Sequence, residues 1–213
     1  MKTIALLIIF SLINFTTFSQ QQDKKAKTIL DNVTEKTESY KSMKIDFTYS
    51  MENKSADINE SKDGSITLMG DKFRLEIASQ LVISDGETVW TYLADAEEVQ
   101  LNSVEDDDES INLNKILTSY SEDYKSRFIK ATQEEGINVQ IIDLVPNEGK
   151  SYFKVRLVIN EAKAQIIKSI IYDKNGSTYT YKINKFVGNP SVSVKDFTFN
   201  PSEYPDVDII DMR

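Results

Sequence analysis

The sequence predicts a mainly β protein with helices (α+β), built on one large, mostly antiparallel, strongly curved sheet with two helices across one face. Three observations carry that expectation. Apolar and polar residues alternate with period two through most of the chain, Gly-containing turn dipeptides punctuate the runs, and only two stretches show apolar spacings of three and four. The 213 residues, 40% hydrophobic and 28% charged with seven Gly and four Pro, have an ordinary globular composition. No shift in composition and no repeat divides the chain, so residues 20–213 are expected to form a single domain.

The elements follow in order. From Asp23 to Tyr40, the residues Ala26, Ile29, Leu30, Val33 and Tyr40 form a helical stripe with charged residues opposite. Met43, Ile45, Phe47, Tyr49 and Met51 then alternate with Lys44, Asp46, Thr48, Ser50 and Glu52, a strand with one apolar face. Asp63-Gly64 reads as a turn before Ile66 and Leu68, and Gly70-Asp71 as another before Phe73, Leu75 and Ile77. Leu81-Val82-Ile83 leads into Asp85-Gly86, and Val89–Leu93 returns from it. Asp-Gly suits a type I′ hairpin, which needs positive φ at both central residues.

A polar tract over Asn102–Asn112 interrupts the strands, and Ile116, Leu117, Tyr120, Tyr124 and Phe128 behind it follow helical spacing over Ile111–Phe128. Strands resume at Ile137–Val145, Tyr152–Ile159 and Gln165–Tyr172, and Asn175-Gly176 turns the last of these into Tyr179–Ile183. Phe197 with Phe199, and then Val207–Ile210, read as two final strands.

Composition excludes most catalysis. With no Cys and no His, the chain has no zinc finger, iron–sulfur cluster, haem histidine, disulfide or imidazole-based triad, and no cofactor is expected. A net charge of −9 argues against nucleic acid as a partner. Met1-Lys2, the apolar run from Ile4 to Phe15 and the small residues Thr17 and Ser19 form a secretory signal over residues 1–19, cleaved after Ser19. The run is too short and interrupted to span a bilayer core of about 30 Å. No Cys stands at the processing site to carry a lipid anchor. The mature chain is therefore expected to be soluble and exported, and the lack of disulfides points to the periplasm of a bacterial envelope.

An antiparallel sheet with one apolar face must cover that face. Covering helix is scarce here, and the strands are rich in aromatic residues, among them Phe47, Tyr49, Phe73, Trp90 and Tyr92. Periodicity leaves two readings open: a packed core, or a lidded apolar concavity that takes a greasy ligand.

The block Ile83-Ser84-Asp85-Gly86-Glu87-Thr88-Val89-Trp90-Thr91-Tyr92 resembles the S-D-G-x-T-x-W-x-Y signature of the periplasmic outer-membrane lipoprotein carriers of the LolA type. The surrounding order is similar as well. A helix opens the mature chain, Phe47 stands at the place of the family's first-strand aromatic, and Gly64–Leu68 with Phe73–Leu75 matches its next hairpin. Phe197-Thr198-Phe199 before Pro201, then Val207–Ile210, resembles its closing F-x-F…P…V pattern.

The resemblance implies an incomplete, eleven-stranded β-barrel (a half-barrel) with a helical lid over an apolar cavity. It implies a non-enzymatic monomer that receives acylated lipoproteins from an inner-membrane ABC transporter and carries them to the outer membrane, where a receptor takes them. In the family an Arg before a turn Pro latches the lid; here Met69-Gly70-Asp71-Lys72 has neither, and Lys72 lacks the planar fork of Arg. Three acyl chains of about fourteen methylenes each represent roughly 30 kcal/mol of aversion to water. Adaptable side chains suit such a load, and Met43, Met51 and Met69 are candidates.

Strand parity nominates Phe47, Tyr49, Ile66, Leu68, Phe73, Leu75, Trp90 and Tyr92 as the cavity lining. Ile29, Leu30 and Val33 of the first helix and Ile116, Leu117 and Tyr120 of the second are the lid candidates. A one-residue register error would turn a strand's residues to the outside. The acidic run Glu105–Glu109 lacks the spaced ligands and Gly of a calcium loop, and reads as a solvated loop or a docking patch for a basic partner. Two other readings remain: an envelope sensor or scaffold whose half-barrel binds a protein or peptide, and a glycan-active protein using paired carboxylates.

Overall fold

The computed structural model describes residues 23–104, 120–205 and 207–213. The signal segment 1–19, the acidic run Glu105–Glu109, and the lid candidates Ile116 and Leu117 lie outside those residues. Helix α1 covers 23–38. The strands are β1 Met43–Asn53, β2 Ile58–Met69, β3 Lys72–Ile77, β4 Gln80–Ser84, β5 Thr88–Leu93, β6 Glu98–Ser103, β7 Tyr124–Glu134, β8 Ile137–Pro146, β9 Tyr152–Asn160, β10 Gln165–Asp173, β11 Thr178–Gly188 and β12 Asp208–Asp211. The fold class is mainly β. The chain divides into two compact units: among the described residues, the first holds 23–37 and 120–175, and the second holds 38–104, 176–205 and 207–213.

The first unit joins α1 to the antiparallel ladder β10-β9-β8-β7, whose end strands do not pair with each other. Register places Phe128, Ile142, Leu144, Leu157, Val155 and Ile171 on one face. The α1 stripe serves this unit: Lys25 Nζ stands 3.8 Å from the centroid of the Phe128 ring, and Leu30 and Val33 are no more than 1% exposed. Burial of each such side chain contributes about 1.5–3 kcal/mol. Ile29 and Tyr120 are buried too.

The Tyr120 hydroxyl donates to the Asp31 carboxylate, and Lys27 Nζ lies 3.0 Å from the same group. The Tyr120 bond first, and then Lys27, hold the Asp31 carboxyl below its ordinary range. A depressed folded-state pKa gives stability that is complete above the unfolded value and lost as pH falls through the folded one. Lys27 and Asp31 are 60% and 52% exposed, so solvent screening keeps this contribution well under about 1 kcal/mol. Tyr120→Phe is expected to raise the Asp31 pKa toward the carboxylate norm in an NMR titration. An unmoved Asp31 would remove Tyr120 as the cause.

The second expected helix is corrected here. Residues 120–123 are helical, but Tyr124 and Phe128 belong to β7, so the expected helix ends before Tyr124; its positions 111–119 lie outside the described residues. A spacing of four is even, so it aligns residues on one face of a strand as well as of a helix. Pairing of Phe128 with Ile142 decides for the strand.

The second unit holds the ladder β12-β6-β5-β4-β3-β2-β1-β11, also open, and antiparallel except for the parallel pair of β12 with β6. Asp63-Gly64 is not a turn but the middle of β2. A Cβ on Gly64 would stand 2.7 Å from Phe47 Cζ and 2.9 Å from the Glu76 carbonyl oxygen, so the glycine admits the Phe47 ring to the sheet surface. The true hairpin turn follows Asn53, whose side chain accepts from the Ser55 (3.1 Å) and Ala56 (3.1 Å) amides.

Asp85-Gly86 does turn the chain, but only Gly86 takes positive φ (+96), so the loop is not type I′. Instead Asp85 Oδ1 accepts from the amides of Glu87 (3.0 Å) and Thr88 (2.9 Å). β6 has no counterpart among the expected strands, because its alternation over Glu98–Ser103 runs into the polar tract. Phe197 and Phe199 form no strand: Val194–Phe197 is a 3-10 turn, with Asp196 bonded back to the Ser193 amide at 2.7 Å. Twelve strands are present among the described residues, where the resemblance implied eleven.

Candidate functional site: an apolar sheet face

Directly opposed residues of paired strands share a face, so the strand registers divide the second unit's side chains into two sets. Met43 opposes Leu68, Ile45 opposes Ile66, and Phe47 opposes Gly64. Ile66 opposes Leu75 and Leu68 opposes Phe73; Leu75 then opposes Val82. On the other flank of β1, Ile45 opposes Phe186, Phe47 opposes Ile183, Tyr49 opposes Tyr181, and Met51 opposes Tyr179. One continuous apolar face thus runs across β11, β1, β2, β3 and β4. Six of the eight nominated lining residues (Phe47, Tyr49, Ile66, Leu68, Phe73 and Leu75) lie on it together, with Met43 and Met51.

Phe47 is buried, and the other five are only half-buried. An apolar face left in that state retains hydrophobic surface for a ligand to cover. Its aromatic end is dense. The Tyr49 ring centroid lies 5.3 Å from Tyr181 and 6.4 Å from Tyr179, and Phe47 lies 6.1 Å from Tyr181. Burial, and then the neighbouring Tyr49 and Tyr179, push the Tyr181 hydroxyl up to about 12. Tyr49 is raised too, chiefly by burial. Tyr49 and Tyr181 therefore stay neutral at ordinary pH, and their hydroxyls bring no charge to the face. Beyond them, Tyr49 opposes Lys62 and Met51 opposes Glu60, so the face ends in a charged rim.

Trp90 and Tyr92 are corrected to the opposite face. Trp90 opposes Ile83 and Tyr92 opposes Leu81, one step out of phase with Val82. Both pack against the cluster of Leu81, Ile83, Val99 and Phe199, together with Leu101, Tyr204 and Val207. Tyr92 lies 4.6 Å from Tyr204, and Phe199 stacks on Tyr204 at 5.0 Å. Phe199 and Val207 of the closing F-x-F…P…V pattern thus pack with the W-x-Y block in one cluster, which holds the C-terminal segment onto this face. Met69 opposes Lys72 and likewise leaves the set formed by Met43 and Met51.

The S-D-G turn is structural as well. Ser84 is fully buried and its Oγ accepts from the Gly86 amide at 3.2 Å. Lys72 Nζ donates to the Asp85 carbonyl, so the cation beside the missing latch is spent on this turn. Burial pushes the Asp85 carboxyl up, but the Thr88 and Glu87 amides and the charge of Lys72 bring it below the ordinary range. A cavity of about 290 Å³ on the other face, that of Ile83 and Trp90, is lined by Lys44, Arg74, Glu76 and Asp196 among others, a charged lining ill suited to acyl chains.

Sequence reasoning missed Tyr179, Tyr181, Ile183 and Phe186. Their alternation was readable, but nothing local says that β11 pairs with β1. The lid candidates Ile29, Leu30, Val33 and Tyr120 fall in the first unit, where they are buried. No group of three or more metal-ligating side chains is present among the described residues.

Comparison with known proteins agrees with the fold. Residues 38–200 match the family of the outer membrane lipoprotein carrier protein LolA. An outer-membrane lipoprotein carrier protein of Legionella pneumophila (strain Lens) is 24% identical over 208 residues, covering 95% of each chain. One of Dechloromonas aromatica (strain RCB) is 24% identical over 173 residues, covering 78% of this chain and 81% of that one. Among solved structures, an uncharacterized conserved protein from Thermus thermophilus superposes with a TM-score of 0.58 at 12% identity, over 88% of this chain and 99% of the other. With the family match spanning most of its length, the chain belongs to the LolA family of outer membrane lipoprotein carrier proteins.

Proposed function

We propose that the mature chain, residues 20–213, is a non-enzymatic periplasmic carrier that sequesters the acyl chains of lipoproteins and shuttles them from the inner to the outer membrane. The observation that carries this reading is the half-buried apolar face across β11, β1, β2, β3 and β4. Phe47, Tyr49, Ile66, Leu68, Phe73 and Leu75 line the site, joined by Tyr179, Tyr181, Ile183 and Phe186, while Met43 and Met51 supply adaptable contacts. Half-burial suits a carrier, which must cover acyl surface and still release it. The family role supplies the partners: acylated lipoproteins as cargo, an inner-membrane ABC transporter as donor, and an outer-membrane receptor as acceptor. The leader 1–19 directs export, and no described helix is long and apolar enough to cross a membrane.

The test is a titration of the purified chain, free of detergent, with an environment-sensitive apolar probe, followed by competition. A triacylated lipopeptide is expected to displace the probe and its unacylated twin to leave it in place. Absence of probe uptake by the folded chain would show the face to be filled by its own side chains and would end the carrier reading.

A further inference from the structure

On the first unit's sheet, the face opposite Phe128 is basic. Arg127 opposes Asp143, and the bulge between Phe128 and Lys130 returns Lys130 to the same face, opposite Ile141. Lys125 precedes them, opposite Val145. Across the ladder Arg156 opposes Asp143, Lys154 opposes Tyr172, and Lys168 opposes Val158, itself the partner of Ile141. Lys125, Arg127, Lys130, Lys154, Arg156 and Lys168 thus share a face with only two carboxylates, Asp143 and Glu134. Six cations against two anions leave +4 here, in a chain whose net charge is −9.

The carboxylates are already engaged. Asp143 takes Arg156 through two bonds of 2.6 and 2.8 Å, with Lys154 at 3.6 Å. Glu134 takes Lys168 at 2.6 Å. Lys125, Arg127 and Lys130 are exposed and make no ion pair among the described residues. Short apolar side chains stand between the long cations: Val145 is 42% exposed, and Ile129 at the bulge 36%.

We propose that this face docks the carrier on the surface of an anionic lipid bilayer. Long cationic side chains interleaved with small exposed apolar ones match the interfacial zone, where headgroup anions lie above the first methylenes. A protein strand added to β7 is disfavoured, because the bulge and the row of cations are devices that block such pairing. The acidic remainder of the chain does not prevent docking. At physiological ionic strength fields decay over about 8 Å, so headgroups in contact respond chiefly to the basic face. The inference supplies the carrier reading with a means of approaching membranes, yet vesicle binding is measured without acylated cargo. It can therefore fail while probe displacement succeeds, and the reverse.

The experiment is co-sedimentation of the mature chain with vesicles of phosphatidylcholine alone, or of phosphatidylcholine with about a third phosphatidylglycerol. Binding is expected to the anionic vesicles only and to fall with added salt. The triple variant Lys125→Gln, Arg127→Gln, Lys130→Gln is expected to bind about 100-fold more weakly, on the scale of about fivefold per cation near a charged bilayer. A control with the same change of charge elsewhere, Lys54→Gln, Lys163→Gln, Lys195→Gln, should lose less than about threefold. Thermal unfolding of both variants verifies the fold. Absence of wild-type binding to anionic vesicles, or equal losses in the two variants, would overturn the proposal. If the basic-face variant kept vesicle binding but lost an acidic protein partner, the face would be a protein interface instead.

Discussion

Leu75→Glu is expected to weaken acyl-chain binding by at least about 30-fold while the chain still folds. Leu75 is half-buried between Ile66 and Val82 on its neighbouring strands. In the unliganded chain a glutamate there keeps contact with water. Once an acyl chain lies across the face, that carboxylate must lose its hydration or take up a proton, and either costs a few kcal/mol. Phe47→Glu is the poorer test, since Phe47 is 7% exposed and a charge there threatens the fold itself. Leu75→Met should bind within about twofold of wild type, since the thioether conserves volume. Tyr92→Phe, on the opposite face, should leave probe uptake unchanged. Retained binding in Leu75→Glu together with loss in Tyr92→Phe would move the site to the face that the C-terminal segment seals.

Gly64→Val should cost about 2–4 kcal/mol of stability, read as a lowered urea midpoint at constant slope. The clash has two parts with different remedies. Phe47 Cζ, 2.7 Å from the new Cβ, is the end of a side chain; the Glu76 carbonyl at 2.9 Å is backbone and part of the β2–β3 ladder. Phe47→Leu alone costs about 1–2 kcal/mol for lost burial. Combined with Gly64→Val it should cost clearly less than the sum, because removing the ring removes half the clash. Full additivity would show that Gly64 is kept for backbone reasons and not for the ring.

Much of the fold was legible because its strands carry a one-sided pattern. In β1 every odd position from Met43 to Met51 is apolar, and the strand pairing sets those residues beside apolar partners on one face. The stripe of α1 was equally plain. The failures have a shared cause in weak local signals. Leu81-Val82-Ile83 is apolar at three consecutive positions and encodes no parity, so the pattern places Trp90 and Tyr92 beyond it on the wrong face. Tyr124 and Phe128, four apart, satisfy helix and strand alike. Asp63-Gly64 has the chemistry of a turn, yet Gly64 answers to a ring on the adjacent strand.

The sequence by itself determined the class of the molecule: mainly β, without imidazole or thiol chemistry, with the apolar alternation and signature blocks of a carrier family. Those properties are local, since each depends on residue type and on spacing within a single element. Only the tertiary structure decided which residues share the candidate site. That depends on which strands pair and in what phase, and a shift of one residue exchanges the faces. Pairing of Met43 with Gly188 brings the aromatic residues of β11 beside those of β1. The packing of Phe199 and Tyr204 on Tyr92 turns the most recognisable motif of the chain into a structural seal, away from the face proposed for the ligand.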